Sequence, residues 1–524
     1  MIKLHQIPLE ETHAFSTLLK AYLTQSDALK PFQHYAPSMD GIIKAVDEQE
    51  FPLEKKIRLK RVLTKQYESL HVSDALIEKQ LERISEEQTY FITTGQQIHV
   101  LGGPLYVLFK IATTIKLAEE CNRRMPDKHF IPLFWMASED HDLEEIDHLS
   151  VFGKSYSVDL QAKGPAGTVS TSPINDWIDS VPDVPPVFKE AYASHATLAD
   201  ATRHWIHALF AENGLLVLDA DDAELKKSFI PVIEQELFAG LSAQTVRTCT
   251  EDLEQKGFKG QLFPRDINLF YISAEGRHRI EFNHKENRYD VIGTDHSFDP
   301  YALKELVHTH PERLSPNVVL RPVYQQYLLP NVAYVGGPAE IGYWLQLKTL
   351  FDKLEMHMPV LMPRNFGMVL NKNVVSRFQK LDLTYSSIFL SEEALKQFFF
   401  KQKNYQLPTW EDTQMLLNKL WKSIEDKALQ ADGSLQGFVA AEKSKLEKQV
   451  DSIQKRVQKA YEQKLEQELK QLSQLQEKVL PGGSLQERKE SFVSFMINDP
   501  HFVQTVVRLL DPFDFQFQVF ADED

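Results

Sequence analysis

The chain of 524 residues carries 58 basic and 74 acidic side chains, a formal net charge of −16 at pH 7. That length exceeds what one core ordinarily supports, so two or three domains are expected, and 43% apolar with 25% charged residues is the composition of a folded globular chain rather than a disordered one. The acidic balance argues against nucleic acid or an anionic membrane as partner, and no run approaches about 20 consecutive apolar residues, so no bilayer span is expected.

At the N-terminus, Met1 to Glu10 lacks the basic-then-apolar pattern of a leader, and a cytoplasmic compartment is expected. The two cysteines, Cys121 and Cys249, lack CxxC spacing, which argues against a disulfide framework and excludes a Cys-rich zinc site; no zinc is expected. Residues 1–88 read as a helical segment packed on the core, with charges interleaved among apolar positions such as Leu18, Leu19 and Tyr22. The rhythm then changes. Short apolar runs at Tyr90–Thr93, Phe130–Met136, Leu215–Leu218, Val332–Val335 and Pro359–Met362 are separated by amphipathic stretches such as Leu105, Leu108, Ala112, Ile115 and Ala118. Continuously apolar strands alternating with helices predict an α/β fold, a Rossmann-like parallel sheet spanning residues 89–375.

Two insertions interrupt this core. Residues 150–210, with Pro173, Pro182, Pro185 and Pro186, read as loop-rich; residues 260–300 read as antiparallel β, with strands Ile267–Ser273 and His278–Phe282 and a turn at Lys285–Arg288. Residues 376–480 read as a helical coiled-coil domain. Its apolar residues Leu446, Val450, Ile453, Val457, Tyr461, Leu465, Leu469, Leu472, Leu475 and Val479 step by three and four. One helix from about Ser434 to Leu480 would extend roughly 70 Å, more than one core can cover, which predicts a homodimer through this arm. Pro481-Gly482-Gly483 stops the helix, and residues 481–524, ending in Phe513, Phe515, Phe517 and Phe520, are expected to return to the core.

Four places along the core could carry chemistry. Thr94-Gly95-Gln96-Gln97 follows the first strand, and Gly102-Gly103-Pro104 opens a helix that holds Tyr106 and Lys110; a helix start with glycines before it suits a phosphate, with simple turn punctuation as the less favoured alternative. Ser138-Glu139-Asp140-His141-Asp142 closes the second strand, where crowded carboxylates favour an ammonium, a cation or proton transfer. The alternative for the neighbouring Glu144, Glu145 and Asp147 is an acidic first helical turn. Gly336-Gly337-Pro338-Ala339-Glu340 repeats the strand, Gly-Gly, Pro, helix device, ahead of Tyr343 and Trp344, which read as core aromatics. Arg364, after the fifth run, suits a phosphate or carboxylate, with a surface salt bridge as the alternative; Arg321 and Gln325 precede the fourth strand. No GxGxxG, GxxxxGK[ST], GxSxG, HExxH or EF-hand pattern is present.

At these residues the chain resembles the bacillithiol-biosynthesis cysteine ligases, the BshC family. The matching motifs are Thr94-Gly95-Gln96-Gln97, Gly103-Pro104-Leu105-Tyr106, Phe134 to Asp142, Gly336 to Glu340 with Tyr343-Trp344, Pro363-Arg364, and Leu485-Gln486-Glu487-Arg488. His99 lies between motifs and takes no role. The resemblance implies a Rossmann core related to nucleotidylyl transferases, connecting insertions and a dimerising coiled coil. It also implies the last bacillithiol step, joining cysteine to glucosaminyl-malate. An amide from a free carboxylate is uphill in water, so ATP, with Mg2+, is the expected activator, through an acyl-adenylate or an acyl-phosphate. On this reading Thr94, Gly95, Gln96, Gln97, Gly103, Lys110, Gly336 and Gly337 hold the nucleotide. Ser138, Tyr106, Arg321, Glu340 and Arg364 hold substrate, and Glu139, Asp140, His141 and Asp142 carry the chemistry; no metal ligands are assigned. The rival readings are another adenylate-forming Rossmann enzyme with a different acceptor, and a non-enzymatic coiled-coil scaffold.

Overall fold

The computed structural model describes residues 2–70, 74–273, 276–403 and 409–523, apart from the side chains of residues 461, 462 and 464. They form two compact units: residues 4–369 with 484–519, and residues 370–483 with short stretches of both termini.

In the first unit the five apolar runs are strands: β1 (Thr89–Gln96), β2 (His129–Met136), β3 (Leu216–Asp219), β4 (Asn331–Gly336) and β5 (Val360–Pro363). They form one parallel sheet in the order β5-β4-β1-β2-β3, with Thr93 opposite Tyr334 on one side and Leu133 on the other. Seven of the eight residues of β1 are buried, because both faces of the sheet are covered. Phe91, Ile131, Leu133, Trp135 and Tyr334 point into one core cluster, while Tyr90, Ile92, Phe130 and Val335 point into the other. That second cluster also takes Leu117, Ala118 and Cys121 of α1 (Leu105–Arg124). A sheet buried twice has no polar face, hence the unbroken apolar runs. Strand order reverses between β1 and β4, and the crevice beyond the carboxyl ends at such a point is where open α/β sheets bind ligands. Helix α2 (Pro338–Leu345) starts there, directly after β4.

Residues 150–210 hold more helix than expected. After the hairpin His148–Val151/Lys154–Ser157 come helices Ser172–Trp177, Pro186–Ser194 and Leu198–Phe210. Pro173 and Pro186 sit in the first turn of their helices, where a missing N–H costs nothing, so these prolines start structure rather than break it. The second insertion belongs to a five-stranded antiparallel sheet, in the order Ser297–Phe298, Arg288–Val291, Gly276–Asn283, Leu269–Ser273 and Leu314–Pro316. Arg288 opens a strand instead of closing the turn, and Asn283 Oδ1 caps that turn by accepting from the N–H groups of Lys285 and Glu286. Near the N-terminus, Ile2–Ile7 is a strand rather than a helix; Ile2 and Leu4 alternate with Lys3 and His5 at a period of two. Helices from Thr17 to Arg83 follow, and Leu18, Tyr22, Leu59 and Leu63 join the first core cluster. Phe513 and Phe515 pack against the second.

In the other unit, α3 (Glu411–Ala431) pairs with α4 (Gln436–Lys464), and α5 (Glu466–Val479) follows. The single long helix expected here is interrupted: Leu465 leaves helical geometry at φ −115°, ψ 18°. The 29-residue α4 then spans about 44 Å and the 14-residue α5 about 21 Å. Leu465, Leu472, Leu475 and Val479 are buried, whereas Ile453 is 55% exposed. The side chain of Tyr461 lies outside the described residues.

Candidate active site

A cleft of about 720 Å³ opens beyond the carboxyl ends of β1, β2 and β4. At the end of β1, Gln96 Nε2 donates to Gln97 Oε1 (2.7 Å) and to the Tyr106 hydroxyl (3.2 Å). Lys110, 1% exposed, has three ammonium protons and three acceptors: the Gly95 carbonyl, Gln96 Oε1 at 3.1 Å and Glu340 Oε2 at 2.7 Å. Burial holds Lys110 below its ordinary value. Burial would raise the Glu340 carboxyl, but Lys110 and the Gly337 N–H (2.8 Å) together hold it below the usual carboxylate range. The Tyr334 hydroxyl donates to its other oxygen. Lys110 and Glu340 therefore brace the wall between β1 and α2. Lys110 has no ammonium proton left over, which argues against its reaching a phosphate, whereas Glu340 Oε1 accepts from Tyr334 alone among the described residues and lines the cleft.

The Gly102-Gly103 turn is not a ligand cradle either. Both glycines have positive φ (76° and 75°), and a Cβ on Gly103 would lie 2.7 Å from the His99 side chain, so glycine is required there by packing. The N–H of Leu105, at the start of α1, donates to the Glu490 carbonyl (2.8 Å) and is spent. Three further expected site residues are also turned away from the cleft. The Thr94 hydroxyl donates to the Val335 carbonyl (2.8 Å), the Ser138 hydroxyl donates to Asp219, and Gly336 packs against Tyr334 and Glu340. Gly95, Gln96, Gln97, Tyr106 and Gly337 do line it. His99 is buried beneath, its Nδ1 without a partner among the described residues.

Beyond β2, Glu139 is buried against Lys226, which pairs at 2.5 Å with both Glu139 and Asp221. Burial pushes the Glu139 carboxyl up against the pull of Lys226. Asp140 accepts from the His141 N–H (2.9 Å) and faces Arg277 at 3.6 Å. The His141 ring lies 6.0 Å from that of Phe270; burial, then Arg277, holds its imidazole below the ordinary value, so it is neutral at pH 7. Glu145 accepts from Gln97 Nε2 (2.7 Å), and burial with the charges of Asp142 and Asp140 raises its carboxyl. Asp140, Asp142 and Glu145 give this lip a negative charge.

Arginines supply the opposite sign. Arg277 donates to Ser315 Oγ (3.0 Å) and the Pro316 carbonyl (2.8 Å), with its guanidinium 4.2 Å from the centre of the Phe270 ring. Arg321 donates to Gln325 Oε1 (3.2 Å) and the Tyr343 hydroxyl (2.8 Å). Tyr343 thus lines the cleft, while Trp344 is fully buried. Arg364 lies between the rings of Tyr106 and Phe366 and grips a carboxylate with both terminal nitrogens (3.0 and 2.6 Å). That carboxylate is the chain's own Glu487, and both residues are buried, so the contact is neither a surface salt bridge nor a free clamp. Arg265 and Arg488 are exposed on the cleft, and among the described residues neither is ion-paired. Arg277, Arg265 and Phe270 carry no motif; they reach the cleft from the antiparallel insertion. Arg488 was visible only as the last residue of Leu485-Gln486-Glu487-Arg488.

The family of the chain is shown by its similarity to known proteins. Residues 2–365 match the family model for the bacillithiol biosynthesis BshC N-terminal Rossmann-like domain, and residues 367–521 match that for the BshC C-terminal coiled-coil domain. The chain belongs to the BshC family. A "putative cysteine ligase BshC" of Cytophaga hutchinsonii is 39% identical over 98% of both chains. One from Flavobacterium johnsoniae is 33% identical over 96% of this chain and 97% of its own, and one from Bacillus mycoides 28% over 78% and 80%. As a BshC protein it is a ligase. Among its described residues no helix is long and apolar enough to cross a membrane. The two BshC family regions meet within a few residues of the boundary at 369/370 between the structural units, but residues 484–519 fold with the Rossmann-like unit.

Proposed function

We propose that this BshC chain joins the carboxyl group of L-cysteine to the glucosaminyl amine of glucosaminyl-malate at the expense of ATP. The cysteine carboxylate oxygen attacks the α-phosphorus of ATP, displacing pyrophosphate and giving an acyl-adenylate, or the γ-phosphorus, displacing ADP and giving an acyl-phosphate. The glucosaminyl amine then attacks the cysteinyl acyl carbon; the C–N bond forms, AMP or phosphate leaves, and the amine loses a proton. The observation that carries this reading is the separation of charge across one cleft. Arg321 and Arg488 face two anionic substrates and Asp142 and Glu145 face an ammonium, with Arg277 and Asp140 paired at 3.6 Å where the two signs meet. In this scheme Asp140 and Asp142 hold the cysteine ammonium, and neutral His141 takes the proton. The strand end at Gly95–Gln97 receives the phosphates. Glu139 keeps the Lys226 pair in place beneath them. Among the described residues no group of three or more His, Cys, Asp or Glu is placed to hold a metal. Mg2+ is accordingly assigned to the phosphates, entering as part of the nucleotide substrate.

Dimerisation through the arm is part of the same proposal. Met415, Leu416, Leu420 and Leu429 of α3 and Phe438 and Ile453 of α4 are exposed apolar side chains on paired helices. A second arm would cover them. The deciding experiment mixes purified protein, ATP, L-cysteine and glucosaminyl-malate and follows the amide by mass spectrometry, with AMP and ADP quantified beside it. Amide formed in step with one nucleotide product is the expected result. No amide, even with extract from a bacillithiol-producing cell added, overturns the proposal.

A further inference from the structure

The rim of the cleft carries a short loop whose two feet are gripped by buried amides. Gln346, fully buried, accepts from the N–H groups of Gln261 (2.7 Å) and Leu262 (3.0 Å) and donates to the Leu262 carbonyl (3.0 Å). Asn268, also fully buried, accepts from the Arg265 N–H (3.1 Å) and donates to its carbonyl (2.8 Å). Asn268 is itself held by the buried Glu236 and Ser242, and by Asn317 on the adjoining cleft wall. Buried polar networks are costly unless every member is satisfied, and what they return is a defined geometry. Here the geometry they define is a tip whose two cleft-facing side chains are left to solvent. Phe263 is 75% exposed and belongs to neither of the two core clusters, while Arg265 is exposed and unpaired among the described residues; both line the cleft. Val318, beside Asn317, adds a second exposed apolar group, 45% exposed, to the same rim.

We propose that residues 263–266 form a subsite for a ligand that carries a ring beside an anion: Phe263 covers the ring and Arg265 pairs with the anion. This rests on the ligase reading, in which ATP and glucosaminyl-malate both have that chemistry. The test is calorimetric titration of full-length Phe263→Ala, Phe263→Tyr and Arg265→Gln with ATP and, separately, with glucosaminyl-malate. Both positions are exposed, so melting temperatures stay at the wild-type value. Phe263→Ala raises Kd for one of the two ligands by about tenfold, the scale of ring stacking, and Phe263→Tyr restores it. Arg265→Gln weakens the same ligand and reduces the salt dependence of its binding. The arm that responds identifies the occupant. Unchanged Kd values for both ligands overturn the subsite, and a wild type that binds neither ligand overturns it together with the ligase reading. Ligand binding that depends on Phe263 without amide formation supports the subsite and sinks only the ligase reading.

Discussion

Glu487→Ala removes the carboxylate that neutralises Arg364 inside the first unit. The side chains are 3% and 0% exposed, and Glu487 accepts both terminal nitrogens of Arg364 as well as the Gly367 N–H at 2.9 Å. The variant leaves a guanidinium and a backbone donor buried at the edge of the cleft without their acceptor. Breaking a buried pair on one side costs about 3–5 kcal/mol, because the surviving charge stays desolvated without its partner. Replacing both residues, as in Arg364→Met with Glu487→Met, removes the stranded charge, and the stacking space between Tyr106 and Phe366 accepts a thioether. The double variant is therefore expected to recover most of that loss, and with the single variants Arg364→Met and Glu487→Met beside it gives a coupling energy of several kcal/mol. Equilibrium urea unfolding read by tryptophan fluorescence measures this, since Trp135, Trp205 and Trp344 are all buried in the same unit. A Glu487→Ala protein within about 1 kcal/mol of wild type, the behaviour of a solvated surface pair, refutes the reasoning.

Asp140→Asn and His141→Ala are each expected to lower turnover about a hundredfold or more, with melting temperatures near wild type because neither side chain is buried. A variant that melts early yet keeps full activity per folded molecule removes that residue from the chemistry. Burial pushes the His99 imidazole down to about 4, against about 6.5 in the unfolded chain, so on acidification the unfolded state takes up a proton that the native state refuses. Its contribution is intact above the unfolded value and is lost as pH falls through it, about 2 kcal/mol between pH 7 and pH 5. His99→Gln should flatten the pH dependence of unfolding free energy by that amount; an unchanged slope disproves it. Glutamate at Val450, Ile453 and Val457 together should convert the dimer to a monomer in light scattering, and a wild type already monomeric at micromolar concentration defeats the dimer proposal.

The five strands were readable in the chain because their cause is local. A strand buried on both faces must be apolar at every position, and Phe130 to Met136 shows that without knowledge of its neighbours. The steps of three and four from Leu446 to Val479 are readable for the same reason: a helix repeats its buried stripe along its own axis. Even there the break at Leu465 carries no local sign, since leucine is a good helix former. The prolines near 173 and 186 misled because proline marks a helix start as well as a helix end, and only the surrounding packing selects between them.

What charged side chains do was decided by the fold. Lys110, Arg364 and Glu340 all sit where a ligand-binding residue belongs, yet Lys110 is spent on Gly95, Gln96 and Glu340, and Arg364 is spent on Glu487, 123 residues away. Arg277 meets Asp140 from an insertion 137 positions downstream, and nothing in the residues beside either one predicts the meeting. The difference is physical. Side-chain direction follows from local backbone geometry and so leaves a period in the sequence. Which opposite charge closes on a buried one depends on loop closures that bring distant segments together, and those leave no local pattern.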